Sequence, residues 1–233
     1  MNNNLIYETY IYISSKKLII SVNTNLNNRV YQEELLLTEN RKNIKFDKLD
    51  FFLNTNIFKI EKKIKNFVEK TNIILDLDVF SPIEISVKKN NYQANVNLKT
   101  LGYVLNEAKD YCRKTINGTT IAHMIISNYR FDNKNSSFLP KNIECDIFYL
   151  DVKFICISND IIENLEKILK KYQISLGKVV SANYVREFLS NDQDDIFLMT
   201  KEILNGHNPN EVILINKTTR PSGFFEKFFN FFS

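Results

Sequence analysis

Short strand-like runs of apolar residues open the chain. Leu5–Ile13 and Leu18–Val22 read as two strands joined by Ser14-Ser15-Lys16-Lys17, and Arg29–Thr38 as a third. Ile57, Ile60, Ile64, Phe67 and Val68 then recur at helical spacing and predict one apolar helix face. Asn72–Leu77 returns to strand. The opening segment therefore reads β-β-β-α-β.

Beyond it, Ile83–Lys89, an Asn90-Asn91 turn and Tyr92–Leu98 form a hairpin pattern. Leu101, Val104, Leu105, Ala108 and Cys112 line the next helix, which Asn117-Gly118 punctuates. Thr119–Phe131 and Cys145–Ser158 read as long strands around a polar loop, Asp132–Asn142, that contains Pro140. Asp160 followed by Glu163 marks a helix start, and Ile161, Ile162, Leu165, Ile168, Leu169 and Tyr172 line that helix. Val179 and Val180 suit a short strand, and Asn183–Leu189 a helix. Ile196–Leu204 suits a helix or strand, and Val212–Ile215 a strand. The class expected is α+β, with no internal repeat.

The last ten residues carry the sharpest pattern. Wound at 100° per residue, Phe224, Phe225, Phe228, Phe229, Phe231 and Phe232 fall on one side, with Glu226, Lys227, Asn230 and Ser233 on the other. Such a stripe, following Pro221–Gly223, reads as a helix lying in a membrane surface. It is too short to span a bilayer, which takes about 20 apolar residues. Packing onto its own domain or into a partner's groove is the alternative. Lys217, Arg220 and Lys227 favour anionic lipid, opposed by Glu226. One tail of this size gains little over the cost of ordering its backbone. It holds firmly when several copies act together, so self-association or membership of an assembly is expected.

Composition narrows the classes. The 233 residues suffice for one to two domains, and 44% hydrophobic with 25% charged residues is ordinary for a globular chain. A net charge of +4 is too diffuse for a nucleic-acid footprint. Cys112, Cys145 and Cys156 lack CxxC spacing, which argues against zinc and disulfides and for a reducing compartment. No signal-peptide pattern and no 18-residue apolar window is present. The expectation is a cytosolic protein attached to a membrane at most by its tail.

Several strings resemble FtsA, the actin-like bacterial protein that tethers the division ring to the membrane. Ile121-Ala122-His123-Met124-Ile125, then Tyr129, a loop, and Asp151–Asp160 are similar to a strand pair of that family's inserted 1C (SHS2-type) subdomain. Residues 5–78 look like the first half of its 1A subdomain, and 220–233 like its linker and membrane-targeting helix. The resemblance implies a partial actin-like (ribonuclease H-like) β-β-β-α-β half plus an SHS2-like β/α subdomain, then a C-terminal amphipathic helix. The boundaries expected are 1–80 for a truncated 1A-type unit, 81–175 for the 1C-type interaction unit and 176–205 for remaining 1A-type elements. A linker, 206–223, and the amphipathic helix, 224–233, complete the chain.

The departures matter as much. Actin-like ATPases carry an Asp-x-Gly-Thr-type phosphate loop in the first hairpin, and Tyr10–Lys16 has neither Asp nor Gly there. The five glycines are scattered singly, and the chain is short for a second actin-like half. Backbone amides approach a phosphate closely only where glycine permits. No cofactor is expected.

Other candidate groups read as structural. His123 suits a satisfied histidine and His207 a turn. Asp76 and Asp78 share a strand side and could form a carboxylate pair, with strand-end solvation the simpler reading. Asp192, Asp194 and Asp195 lack the Gly and terminal Glu of an EF-hand loop, and Cys112 has no evident base. No catalytic or metal-binding residue is nominated. The membrane-binding set is Phe224, Phe225, Phe228, Phe229, Phe231, Phe232 and Lys227.

The function expected is that of a non-enzymatic adaptor linking cell-division proteins to anionic lipid on the cytoplasmic face of the inner membrane, at the division site. The alternatives are a degenerate nucleotide-binding protein completed by another chain, and a soluble protein-interaction module.

Overall fold

The computed structural model describes residues 5–38, 43–91, 96, 98–132, 134–138, 144–189 and 195–212. The chain begins with β1 (Tyr7–Ser14), β2 (Lys17–Thr24), β3 (Arg29–Leu36), α1 (Phe46–Ile64) and β4 (Lys70–Asp76). It continues through β5 (Phe80–Asn90), α2 (Leu98–Thr115), β6 (Thr119–Phe131), β7 (Lys134–Ser136) and β8 (Ile147–Ser158). It then adds α3 (Asn159–Lys171), β9 (Ser175–Ser181), α4 (Ala182–Phe188) and α5 (Ile196–Leu204). Two sheets result, with strand orders β3-β2-β1-β4-β9 and β5-β8-β6-β7. β1 runs antiparallel to β2 and parallel to β4, and β4 parallel to β9. The expected α+β class, a β-β-β-α-β sheet with a second β/α unit inserted, is the one that forms.

Burial on both faces explains why β1 and β2 read as nearly continuous apolar runs. Ile11, Ile13, Ile20, Val22 and Ile73 share a core with α1 and α3. Tyr10, Tyr12, Ile19 and Ile74 point the other way, against Ala182 and Phe197. The second sheet buries one face, where Leu150, Val152 and Phe154 of β8 meet Val104, Ala108 and Cys112 of α2. At the other end of β8, Ile155 joins Val180, Tyr184 and Met199, and Ile157 joins the α1–α3 core. One strand thus belongs to both units.

The structure departs from the sequence pattern in several places. α1 starts eleven residues before Ile57, because Leu49, Phe52 and Leu53 extend its buried face. Asn56 sits on that face, donating to the Phe52 carbonyl at 2.8 Å and accepting from the Tyr31 hydroxyl at 2.7 Å. Lys65, in the left-handed region at φ 55°, ends the helix, so Phe67 lies beyond it and is exposed while Val68 is buried. The strand expected over Tyr92–Leu98 falls largely outside the described residues, and Leu98 is the first residue of α2. β5 pairs with β8 instead. α3 is capped by Ser158, whose Oγ accepts the Asp160 amide, rather than starting at Asp160. Leu165, Ile168 and Leu169 of α3 enter the core of the first sheet.

Two β-bulges distort the strands where the sheets approach each other. Between Thr71↔Leu176 and Ile73↔Val179, β9 spends one residue more than β4. Asn72 Oδ1 accepts the Lys178 amide at 2.9 Å there. A Cβ on Gly177 would lie 2.3 Å from Asn72 Oδ1 and 2.8 Å from the Thr71 carbonyl, so this close approach requires glycine. A second bulge falls in β6 between Ile121 and His123. Gly177→Ala is expected to lower stability by about 1–3 kcal/mol in urea unfolding, with an unchanged m-value.

Candidate functional site

In open sheets with parallel strands, ligands bind outside the carboxyl ends of the strands. Here that end holds the β1–β2 turn, the end of β4 and α4. The turn is closed on itself: Ser14 Oγ accepts the amides of Lys16 and Lys17 at 3.3 and 3.1 Å and donates to the Lys17 carbonyl at 3.1 Å. Asp76, opposite Ser14 in the β1–β4 register, takes both guanidinium nitrogens of Arg186 at 2.8 Å and the Tyr12 hydroxyl. The Arg186 guanidinium holds the Asp76 carboxyl below the usual carboxylate range, against an opposing push from burial. Burial, then Asp76, raises the Tyr12 phenol. Turn amides and carboxylate are thus engaged by the chain itself.

A second concavity lies at the opposite end of β1, between the two sheets, with a volume of about 300 Å3. Its walls come from the two bulges. Asn72, Lys178 and Val179 flank the β9 bulge, and Ile121, Ala122 and His123 the β6 bulge. Ile203 and Leu204 of α5 and Val212 add apolar surface, and Glu8 and Tyr10 add polar atoms. Tyr10 donates to Glu8 at 3.1 Å, and Glu8 also meets the largely buried Lys201 ammonium at 3.1 Å.

His123 is the joint of this cleft. Its Nε2 accepts the Ser181 amide at 3.1 Å, which leaves Nδ1 to donate to Glu211 Oε1 at 2.7 Å. Tyr184 donates to Glu211 Oε2 at 2.8 Å, and Asn208 donates to the Tyr184 hydroxyl at 2.8 Å. The His123 and Tyr184 rings lie 4.5 Å apart. Burial and the Glu211 charge raise the Tyr184 phenol. Backbone bonds from Ile126 to the Asn210 carbonyl and from Val212 to the Met124 carbonyl lay residues 210–212 along β6. Both His123 nitrogens are consumed in joining β6, β9 and this segment, so His123 has a structural task and no nitrogen to offer a substrate.

The other nominated groups are dispersed. Asp76 and Asp78 do not form a pair: Asp76 is held by Arg186, and Asp78 is exposed in the turn after β4. Asp195 caps α5 through the Phe197 amide and pairs with Arg29, while Asp192 and Asp194 lie outside the described residues. His207 is exposed just after the α5 cap; its amide bonds the Glu202 carbonyl and the Gly206 amide the Ile203 carbonyl, with Gly206 at φ 83°. All three cysteines are free and buried. Cys112 and Cys156 lie 3.7 Å apart, and burial pushes the Cys156 thiol up to about 12. No group of three or more His, Cys, Asp or Glu side chains suited to a metal ion occurs among the described residues. The membrane-binding set, Phe224, Phe225, Lys227, Phe228, Phe229, Phe231 and Phe232, lies outside the described residues. No helix among the described residues is long and apolar enough to cross a membrane.

The sequence pattern did not expose the cleft residues Glu8, Asn72, Lys178 and Glu211 or their neighbour Tyr184. Gly177 was the available signal, since a lone glycine inside a strand pattern marks a bulge or close approach.

No protein-family model and no curated protein matches the chain. Among solved structures it is similar to the cytoplasmic domain of EpsL, an inner-membrane component of the type II secretion system of Vibrio cholerae. The identity is 9%, the TM-score 0.38, and the match covers 77% of this chain and 59% of that one. It is also similar to the PilM-PilN type IV pilus biogenesis complex, at 11% identity and TM-score 0.43, covering 78% and 49%. A Bacteroides thetaiotaomicron protein with actin-like ATPase fold and unknown function matches at 12% identity and TM-score 0.29, covering 78% and 55%. The chain thus spans about half to three fifths of the length of these structures.

Because the folded Asp76 carboxyl is held low, its contribution is present above the ordinary carboxylate range near pH 4. It is lost as pH falls through the lower folded value. Arg186→Met is expected to cost about 1 kcal/mol at pH 7, discounted for the partial exposure of the pair, and to flatten the acid limb. Urea midpoints between pH 2 and 7 check both.

Proposed function

We propose that the protein is a non-enzymatic adaptor of the FtsA kind, holding partner proteins of the cell-division machinery at the inner face of a membrane. The observation that carries this reading is the closed strand end. Ser14 takes the turn amides and Arg186 takes Asp76, so the chain's own groups occupy the place where an actin-like protein would seat a phosphate. The cleft between the sheets supplies the complementary feature: an apolar trough with Glu8, Asn72 and Lys178 at hand, suited to a short extended segment of a partner. The six-phenylalanine stripe at 224–232 supplies reversible attachment to lipid.

The test compares the intact chain with one ending at Arg220 on vesicles containing anionic lipid. The intact chain is expected to co-sediment and the shortened one to remain in the supernatant. Equal pelleting overturns the attachment. Titration with a fluorescent ATP analogue and magnesium is expected to show no saturation, and saturable micromolar binding would reject the non-enzymatic reading. A fluorescent fusion enriched at mid-cell supports the division role, and a uniform signal removes it.

A further inference from the structure

β5 ends its sheet. It pairs with β8 over its whole length, from Phe80↔Ile157 to Asn90↔Ile147, and stands last in the strand order. Its core-side residues Ile83 and Ile85 are only half-buried, whereas Leu150, Val152 and Phe154 of β8 are completely buried. A groove of about 420 Å3 runs along Glu84–Lys88, with Glu107, Tyr111 and Thr115 of α2 as its far wall. Tyr103, Glu107 and Tyr111 are spaced i, i+4, i+8 and so form one stripe of α2. Tyr103 is 61% and Tyr111 54% exposed. Among the described residues, this partly apolar edge is therefore unpaired beside an aromatic flank.

The centre of this edge, Glu84–Lys88, is complementary to itself. If two copies of this strand meet antiparallel with their Ser86 residues opposite, Glu84 faces Lys88 twice and Ile85 faces Val87 twice, with Ile83 beside Lys89 at each end. The charged pairs then lie on the open polar face and the apolar pairs on the α2 face. A slip of one residue turns the two α2 helices to opposite faces and sets Ile85 against Lys88. Pro82, which lacks an amide hydrogen, limits the pairing on one side. Ser86 is also the middle residue of the groove wall.

We propose that β5 is the seam of a homodimer, in which a second copy of this chain pairs its β5 antiparallel about Ser86 and the sheet continues through both molecules. The arrangement is isologous and closes after two copies. It sets the two α2 stripes on the same face, flanking the seam, where they cover Ile83 and Ile85. The seam goes beyond the adaptor reading and does not depend on it.

The test is sedimentation velocity on the full chain over a concentration series. Dimerisation is expected in the micromolar range. Glu84→Lys or Lys88→Glu alone is expected to weaken it by about tenfold, and the two together to restore it, since the swapped charges again face each other. Both side chains are exposed, and far-UV circular dichroism checks that the fold is unchanged. Ser86→Cys with copper phenanthroline is expected to give a disulfide-linked dimer, each introduced thiol losing one hydrogen to the oxidant, because opposed residues lie within disulfide range. The native cysteines are buried and do not compete. A monomer up to about 100 µM, a dimer indifferent to the charge reversals, or a dimer that Ser86→Cys does not cross-link overturns the seam. A chain that stays monomeric yet pellets with vesicles overturns the seam and leaves the membrane attachment standing.

Discussion

Buried polar groups must find partners, and one such group, the imidazole of His123, sets how the two sheets meet. Its two nitrogens reach β9 through the Ser181 amide and the 208–212 segment through Glu211, so three separate stretches of chain converge on one ring. Each member is satisfied by another: Tyr184 completes Glu211, and Asn208 completes Tyr184. A network of this kind is stable only as a whole, because removing one member leaves a desolvated donor or acceptor behind. The bulge between Ile121 and His123 is the local distortion that aims the ring, and the bulge around Gly177 shapes the facing wall. The cleft is what remains between two strands that each depart from ideal pairing.

Much of the architecture was legible from local pattern. β6 runs from Thr119 to Phe131 as its apolar run dictates, and α2 buries Leu101, Val104, Ala108 and Cys112, all of which the 3.6-residue spacing picks out. The first half of α1 was hidden for a physical reason. Asn56 occupies a buried position because Tyr31, distant in sequence, bonds it, while Phe51 and Phe58 are exposed on the same helix. A polar residue inside and aromatics outside erase the amphipathic signal. Phe67 misled in the opposite direction, since it continues the helical spacing past a left-handed residue that periodicity does not register.

The site was less legible than the fold. His123 and Glu211 are 88 residues apart in sequence, and nothing in either neighbourhood announces the other. Arg186 and Asp76 are 110 apart, and their bidentate pairing turns what read as a solvated strand-end carboxylate into a fixed structural charge. Local sequence shows at once that Tyr10–Lys16 lacks the glycine of a phosphate turn, because that requirement lies in the turn itself. It cannot reveal a cleft whose walls belong to two sheets. The closed strand end and the open cleft lie at opposite ends of β1.

The strap over residues 208–212 has a mechanical consequence. Residues 208–212 are held to β6 by two backbone bonds and the Glu211 side chain. Tension applied to this segment is borne by these few bonds and by the packing of Val212 against the core of the second sheet. Peeling them away strips Glu211 from the imidazole, so a pull on this segment acts directly on the joint between the sheets.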